Sequence, residues 1–367
     1  MGYSGVKGGM TAIMAAEQLV RRKRAQAPFL SARQITDSFR LAVDRIMGEA
    51  GLYDEEIAAH AFRQAEGDLQ EAAHLVRAYR SSLPRLAVSE PADPDEMTVL
   101  RRIVPASRTP DGPQLLGRTT DYTARLLERP GTPLAPAPGP DPGPGGPVPD
   151  DLRRPRRFSE LLAKLDLTVA HEEGTDDEPF DVTRQAARPP APRSAVLSSM
   201  ARAETGALIS LWYRSVRGPD GVVNEVTLGE VRHGRLPVRV IHPGTGNTVV
   251  AGTIRATEVE AIEDLDGDAE DRTRLDIGYG MCLGHNERKA IAMANLDIAC
   301  RRASTDELEQ VLLLTTDGLD SGGFLEHLKL PHYVTFRSIV DRKLAGRAAQ
   351  AAEAAPPGAA PFGKERQ

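Results

Sequence analysis

Apolar positions recur at helical spacing through the N-terminal part of the chain and give way, after residue 205, to alternating stretches. Periodicity alone therefore separates two kinds of structure. Residues 10–24 place Ile13, Ala16, Leu19 and Val20 at helical intervals behind Gly8 and Gly9, and predict a first helix. Residues 31–48 and 54–82 read as further amphipathic helices, with Ser31 and Asp54 as N-caps and Gly67-Asp68 folding the second stretch into a hairpin. A short helical piece spans Phe158 to Leu165. From Gly206 the run Ala207 to Tyr213, then Glu225 to Ile241 and Thr248 to Ile262, predict strands separated by the glycine- and proline-bearing turns at 218–221 and 243–247. A helix over Asn286 to Arg302 sets Ala290, Ile291, Ala294 and Ile298 on one face, and Gln310 to Leu314 reads as one more strand. The predicted class is α+β: a helical N-terminal region and a central and C-terminal antiparallel sheet with packed helices.

Composition adds the boundaries. Residues 130–149 hold nine prolines and five glycines, too many for either helix or sheet ladders, so 130–150 reads as a linker or insertion. It separates a mainly helical domain over 1–129 from an irregular connecting region over 151–205. An α+β domain over 206–344 follows, and an alanine- and proline-rich tail over 345–367 is expected to be disordered. No internal repeat is present.

Charge and cysteine usage narrow the class of partner. The net charge is −6, which provides no broad basic face for a nucleic acid, and the basic run Arg21-Arg22-Lys23-Arg24 reads as a solvated helix end. The two cysteines, Cys282 and Cys300, do not make a disulfide framework, and no apolar run is long enough to span a membrane. A cytoplasmic location is expected.

Two stretches concentrate chemistry. In the first, His327 and His332 flank a lysine and Pro331. Residues five apart on a helix lie about 140° around its axis, so both imidazoles reach one ion only if the chain bends before His332, as Pro331 favours. Neutral imidazole is a common zinc ligand, and two histidines in an ordinary polar loop are the alternative. In the second, Gly278-Tyr279-Gly280 leads through Gly284, His285 and Asn286 to Arg288 and Lys289 at a predicted helix start. Its glycines permit close approach to a nucleotide or phosphate, with helix N–H groups and two cations nearby; glycines serving only a tight turn are the alternative. Lys7-Gly8-Gly9 is a weaker pattern of the same kind.

Several words along the chain carry a resemblance. Val6-Lys-Gly-Gly9, Gly206-Ala-Leu-Ile-Ser-Leu211, Gly278-Tyr-Gly-Met-Cys-Leu-Gly284, Glu287-Arg-Lys-Ala-Ile-Ala-Met-Ala294 and Gly323-Phe-Leu-Glu-His-Leu-Lys-Leu-Pro-His-Tyr-Val334 occur in order over nearly the full length. The chain resembles PhnI, the I subunit of the bacterial carbon-phosphorus lyase core complex, and the proline-rich insertion departs from that pattern. The resemblance implies a cytoplasmic phosphonate-degrading assembly with G, H and J subunits, associated ATP-binding-cassette-like subunits and self-association. The implied reaction replaces adenine of MgATP by a phosphonate to give an α-D-ribose 1-phosphonate 5-triphosphate, and the isolated subunit acts as a purine nucleosidase. It also implies that His327 and His332 line a site for zinc or another divalent metal facing the J subunit.

With only two cysteines, this chain cannot itself hold a four-iron cluster on thiolates, so radical chemistry falls to another subunit. Glycosyl displacement needs carboxylates near the developing cation, and Glu258, Asp276 and Glu326 are candidates that the sequence does not rank. The alternative reading is a scaffold subunit that supplies metal ligands and an interface to the J-type radical subunit.

Overall fold

The computed structural model describes residues 9–118, 131, 155–171, 179–217, 227–264, 273–302, 307–328 and 333–354. The 130–150 insertion, Gly131 apart, lies outside these residues, as do Val6 to Gly8 and the tail beyond 354. Two compact units are formed, Met1–Leu319 and Asp320–Gln367.

Five helices come first: α1 (Gly9–Gln26), α2 (Ala32–Ser38), α3 (Arg40–Ala50), α4 (Glu55–Gln64) and α5 (Leu69–Ser81). Ser31 closes a capping box with Gln34, while Asp54 and Asp68 accept from backbone N–H groups at the starts of α4 and α5. The stretch expected as one helix over 31–48 is broken at Phe39, whose backbone leaves the helical region. Ile35, Val43, Ile46, Met47, Ala58, Ala72 and Val76 form the core of this layer.

A strand, β1 (Thr98–Ile103), then leaves the helical region. After α6 (Phe158–Lys164), α7 (Arg193–Arg202) and α8 (Thr205–Val216) come the long strands β2 (Thr227–Ile241), β3 (Thr248–Asp264) and β4 (Leu275–Leu283). All four strands pair antiparallel in the order β1-β2-β3-β4. They are followed by α9 (Glu287–Arg302), α10 (Glu307–Thr315), α11 (Gly318–Leu328) and α12 (Tyr333–Glu353).

Two strand expectations are corrected. Residues 206–213 are helical in α8, because the Glu204 carboxylate caps the N–H groups of Gly206 and Ala207 and because Leu208 and Leu211 share one buried face. Residues 310–314 lie in α10, with Leu312 buried in the main core. Short apolar runs fit a buried strand or a buried helix equally well, and here packing against the sheet layer decides.

The register sets what each sheet face carries. Arg101, His233, Thr257 and Cys282 lie across one row, and Arg102, Arg232, Glu258 and Met281 across the next. Successive strand residues point to opposite faces, so the first row faces the helices and the second the other side. On the helix side, Val231, Val259, Ala261 and Cys282 meet Met293, Leu296 and Ile298 of α9. Each large aliphatic side chain buried there contributes roughly 1.5–3 kcal/mol.

Candidate functional site

Arginines gather on both faces of the sheet, and their hydrogen bonding differs. On the face away from α9, Arg102 donates from every nitrogen, to both Glu230 carboxylate oxygens and to the carbonyls of Asp111, Pro113 and Arg156. Every nitrogen of Arg157 is likewise engaged, by Asp95, Glu258 and Glu260. Burial works to lower the Arg157 pKa, but the surrounding carboxylates outweigh it and hold the pKa above the usual arginine value. Arg232 completes this lattice through Glu258 and Asp95. Among the described residues no N–H remains unpaired on Arg102, and every nitrogen of Arg157 has an acceptor.

The second group sits where β4 turns into α9. Gly284 makes the turn at φ +74°, and its N–H donates to the Arg255 carbonyl at 2.8 Å. His285 follows. Its Nδ1 accepts from Arg40 Nη1 at 2.6 Å, so Nε2 carries the proton and faces Glu287 Oε1 at 3.3 Å. Glu287 also accepts from Arg101, and these two partners outweigh the burial that would raise its pKa, leaving it lowered. The His285 ring stacks on His233, with centroids 4.3 Å apart and planes 13° from parallel. Burial, reinforced by His285, Arg255 and Arg40, lowers the His233 pKa to about 3, so that ring stays neutral and donates from Nδ1 to the Ala256 carbonyl at 3.0 Å.

Beside this relay, Thr36, Asp37, Arg40, Glu55, Arg118 and Arg255 line a cleft of about 400 Å³. Arg255 Nη2 reaches Asp44 at 2.9 Å and Glu55 at 2.7 Å, whereas its buried Nε has no hydrogen-bond partner among the described residues. Arg40 is half withdrawn from water, and burial, joined by the nearby charges of Arg118 and Arg255, lowers its pKa against the pull of Asp44 and Glu287. Beneath them Asp44 is fully buried, and its Oδ2 accepts no hydrogen bond among the described residues. Cations with spare donors, a fixed imidazole and two rim carboxylates can bind an anion and move a proton beside it.

The sequence-derived site is redistributed by this geometry. His285 is central and Arg288 is exposed at the start of α9. Gly278 and Gly280 face α9, where an added Cβ would overlap the carbonyls of Ala294 and Ala290; they serve close helix-on-strand packing, not the expected ligand approach. Tyr279 points to the opposite face, where burial and Glu258 raise its pKa. Lys289 is 1% exposed and donates to the Ala203 carbonyl at 2.8 Å, so it does not reach the cleft; burial lowers its pKa to about 8. At the helix start the Asn286 N–H donates to Thr257, and Glu287 occupies the first helical position, where it would repel an anion.

Glu258 is locked between Arg157 and Arg232, and Asp276 is fully buried against His171 at 2.7 Å, which leaves neither in the cleft. His327 lies on α11, as does Glu326; His332 is outside the described residues, and with it the expected shared metal site. Sequence reasoning missed Arg40, Arg101, Arg118 and Arg255. Nothing local marks them, since Arg40 and His285 stand 245 positions apart. Among the described residues no helix is long and apolar enough to cross a membrane.

Comparison with known proteins adds an independent line. A family model described as bacterial phosphonate metabolism protein (PhnI) matches residues 2–349. The alpha-D-ribose 1-methylphosphonate 5-triphosphate synthase subunit PhnI of Escherichia coli (strain K12) is 39% identical over 349 residues, covering 92% of this chain and 96% of that protein. The subunit of the same name from Rhizobium meliloti (strain 1021) is 36% identical over 358 residues, covering 92% and 93%. HtxH of Stutzerimonas stutzeri, whose name assigns it to a C-P lyase, is 40% identical over 369 residues, covering 93% and 95%.

Proposed function

The chain belongs to the PhnI family of bacterial phosphonate metabolism proteins, and from that premise we propose that it is the nucleotide-processing subunit of a multi-subunit phosphonate-degrading assembly. In the proposed reaction a phosphonate oxygen forms a bond to C1′ of MgATP while the bond from C1′ to the purine nitrogen breaks. The products are adenine and an α-D-ribose 1-phosphonate 5-triphosphate; with water as the acceptor the isolated chain acts as a purine nucleosidase. The observation that carries the reading is the imidazole of His285, oriented by Arg40 and Glu287 at the edge of a cationic cleft. The departing purine takes its proton from solvent water, while His285, its ring fixed by Arg40 and Glu287, holds the Arg40 guanidinium in place beside the cleft. His233, neutral beneath the His285 ring, adds no positive charge to the stack.

The proposal includes G, H and J subunits as partners, ATP-binding-cassette-like subunits at the periphery, a cytoplasmic location, and a zinc or other divalent ion at His327 and His332. Self-association fits the exposed apolar side chains of Met10, Ile13 and Met14 on α1. A scaffold role is the second reading, favoured by Phe324, Leu325 and Leu328, which stand exposed on α11 beside His327. The two readings part in one assay. Purified assembly is incubated with MgATP and methylphosphonate and free adenine is quantified. The catalytic reading expects adenine release that His285→Ala depresses by about 10²-fold, through loss of positioning of Arg40; release that survives His285→Ala unchanged assigns the displacement elsewhere.

A further inference from the structure

We infer that the Arg40–Arg118–Arg255 cleft binds a metal-chelated polyphosphate, the triphosphate end of a magnesium nucleotide, with the guanidiniums on phosphate oxygens and Glu55 and Asp37 toward the metal. The inference rests on the nucleotide-processing reading and names the part of the substrate this cleft takes.

Three observations carry it. Every nitrogen of Arg102 and Arg157 has an acceptor, whereas among the described residues the cleft arginines leave whole nitrogens unpaired: Arg255 has an unpartnered buried Nε, and Arg40 spends only Nη1, on His285 and Asp44. Guanidinium N–H groups left without acceptors in a partly dry pocket are costly, and phosphate oxygens satisfy them in pairs. Next, the cleft is mixed in sign. A site of arginines alone would take any anion, whereas Asp37 and Glu55 on its wall would repel a bare one. Magnesium keeps several waters and is held by one or two carboxylates together with substrate phosphates, which is the donor set gathered here with the Thr36 hydroxyl. Finally, about 400 Å³ lies within the usual range of small-ligand sites, and the cleft adjoins His285 through Arg40 itself. The guanidinium that would grip the phosphate chain is the one that fixes the imidazole. Glu55 holds Arg255 at 2.7 Å; binding would exchange that carboxylate for a phosphate oxygen and free Glu55 for the metal.

The test is calorimetric titration of the purified assembly containing the full chain with inorganic tripolyphosphate, with and without Mg²⁺, and separately with methylphosphonate and with adenosine. Tripolyphosphate is expected to bind more tightly with Mg²⁺. Arg40→Ala, Arg118→Ala and Arg255→Ala should each weaken it about tenfold or more, the loss of a charge-assisted hydrogen bond, and Glu55→Gln should remove the Mg²⁺ advantage. Arg156→Ala, on the saturated face, should leave it unchanged. Arg118 is exposed, so its variant stays informative should the half-buried arginines prove necessary for folding. Equal binding by wild type and all three variants, tighter binding without Mg²⁺, or competition by methylphosphonate in place of tripolyphosphate would overturn the inference. Tripolyphosphate binding without adenine release would leave the inference standing and sink the functional reading; adenine release with unaltered binding in the variants would do the reverse.

Discussion

Adjacent residues of β1 send two arginines to opposite faces of one sheet, and the two surroundings differ in what they leave unfinished. Arg102 goes to a face where carboxylates and carbonyls satisfy every guanidinium nitrogen. Arg101 goes to the face where Glu287 links it to His285 and Arg40, next to a cleft whose arginines retain spare donors. A finished network fixes backbone positions; an unfinished one has capacity for a ligand. Arginine content alone would not separate the two clusters, whereas the donor accounting does.

The largest effect that would sharpen this contrast is on the saturated face. Arg157→Ala leaves Glu258 and Glu260 buried with a principal counter-charge removed, and should destabilise the chain by about 3–5 kcal/mol in chemical denaturation. A loss as small as that of an exposed ion pair would break the distinction between the two clusters. Next in size, Arg255→Ala should raise the KM for ATP in adenine release by about tenfold or more, through the loss of a charge-assisted contact, with a smaller stability change than Arg157→Ala because it strips one buried carboxylate, Asp44, where Arg157→Ala strips two. The opposite ranking would show that the cleft arginines are cement too.

A smaller effect concerns pH. The folded-state pKa of His233, about 3, lies below the ordinary 6.5, so the unfolded chain takes up a proton first as the solution is acidified. Its contribution to stability is therefore whole above about pH 6.5 and declines as pH falls toward 3. His233→Gln, which keeps a donor for the Ala256 carbonyl, should flatten that limb of the stability profile; an unchanged slope would mean the ring is not buried in its neutral form. The smallest effect is a control away from both clusters: Ser31→Ala opens the capping box of α2 and should cost about 1 kcal/mol without changing adenine release.

Much of the scaffold is legible before any coordinates. Ser31 and Asp54 announce helix starts by side-chain chemistry, and β2 and β3 declare themselves by β-branched stretches between glycine turns. The α8 and α10 segments are not legible in this way, since Ala207 to Tyr213 and Gln310 to Leu314 are apolar runs whose form is settled by what they pack against. Lys289 did carry a signal. It falls in line with Met293 and Leu296, the stripe that α9 buries, and a lysine on that stripe belongs to the core side of the helix. His285 could be singled out from glycine-rich surroundings, but its partners are brought in by long-range packing of α3 and β1, which no local pattern encodes.

Adenine release from MgATP and methylphosphonate by the purified assembly tests the central claim most directly, with wild type, His285→Ala and Arg255→Ala run in parallel. Release that needs His285 and loses ATP affinity in Arg255→Ala is the result predicted here. An intact assembly that releases no adenine, or one in which both variants match wild type, would contradict it.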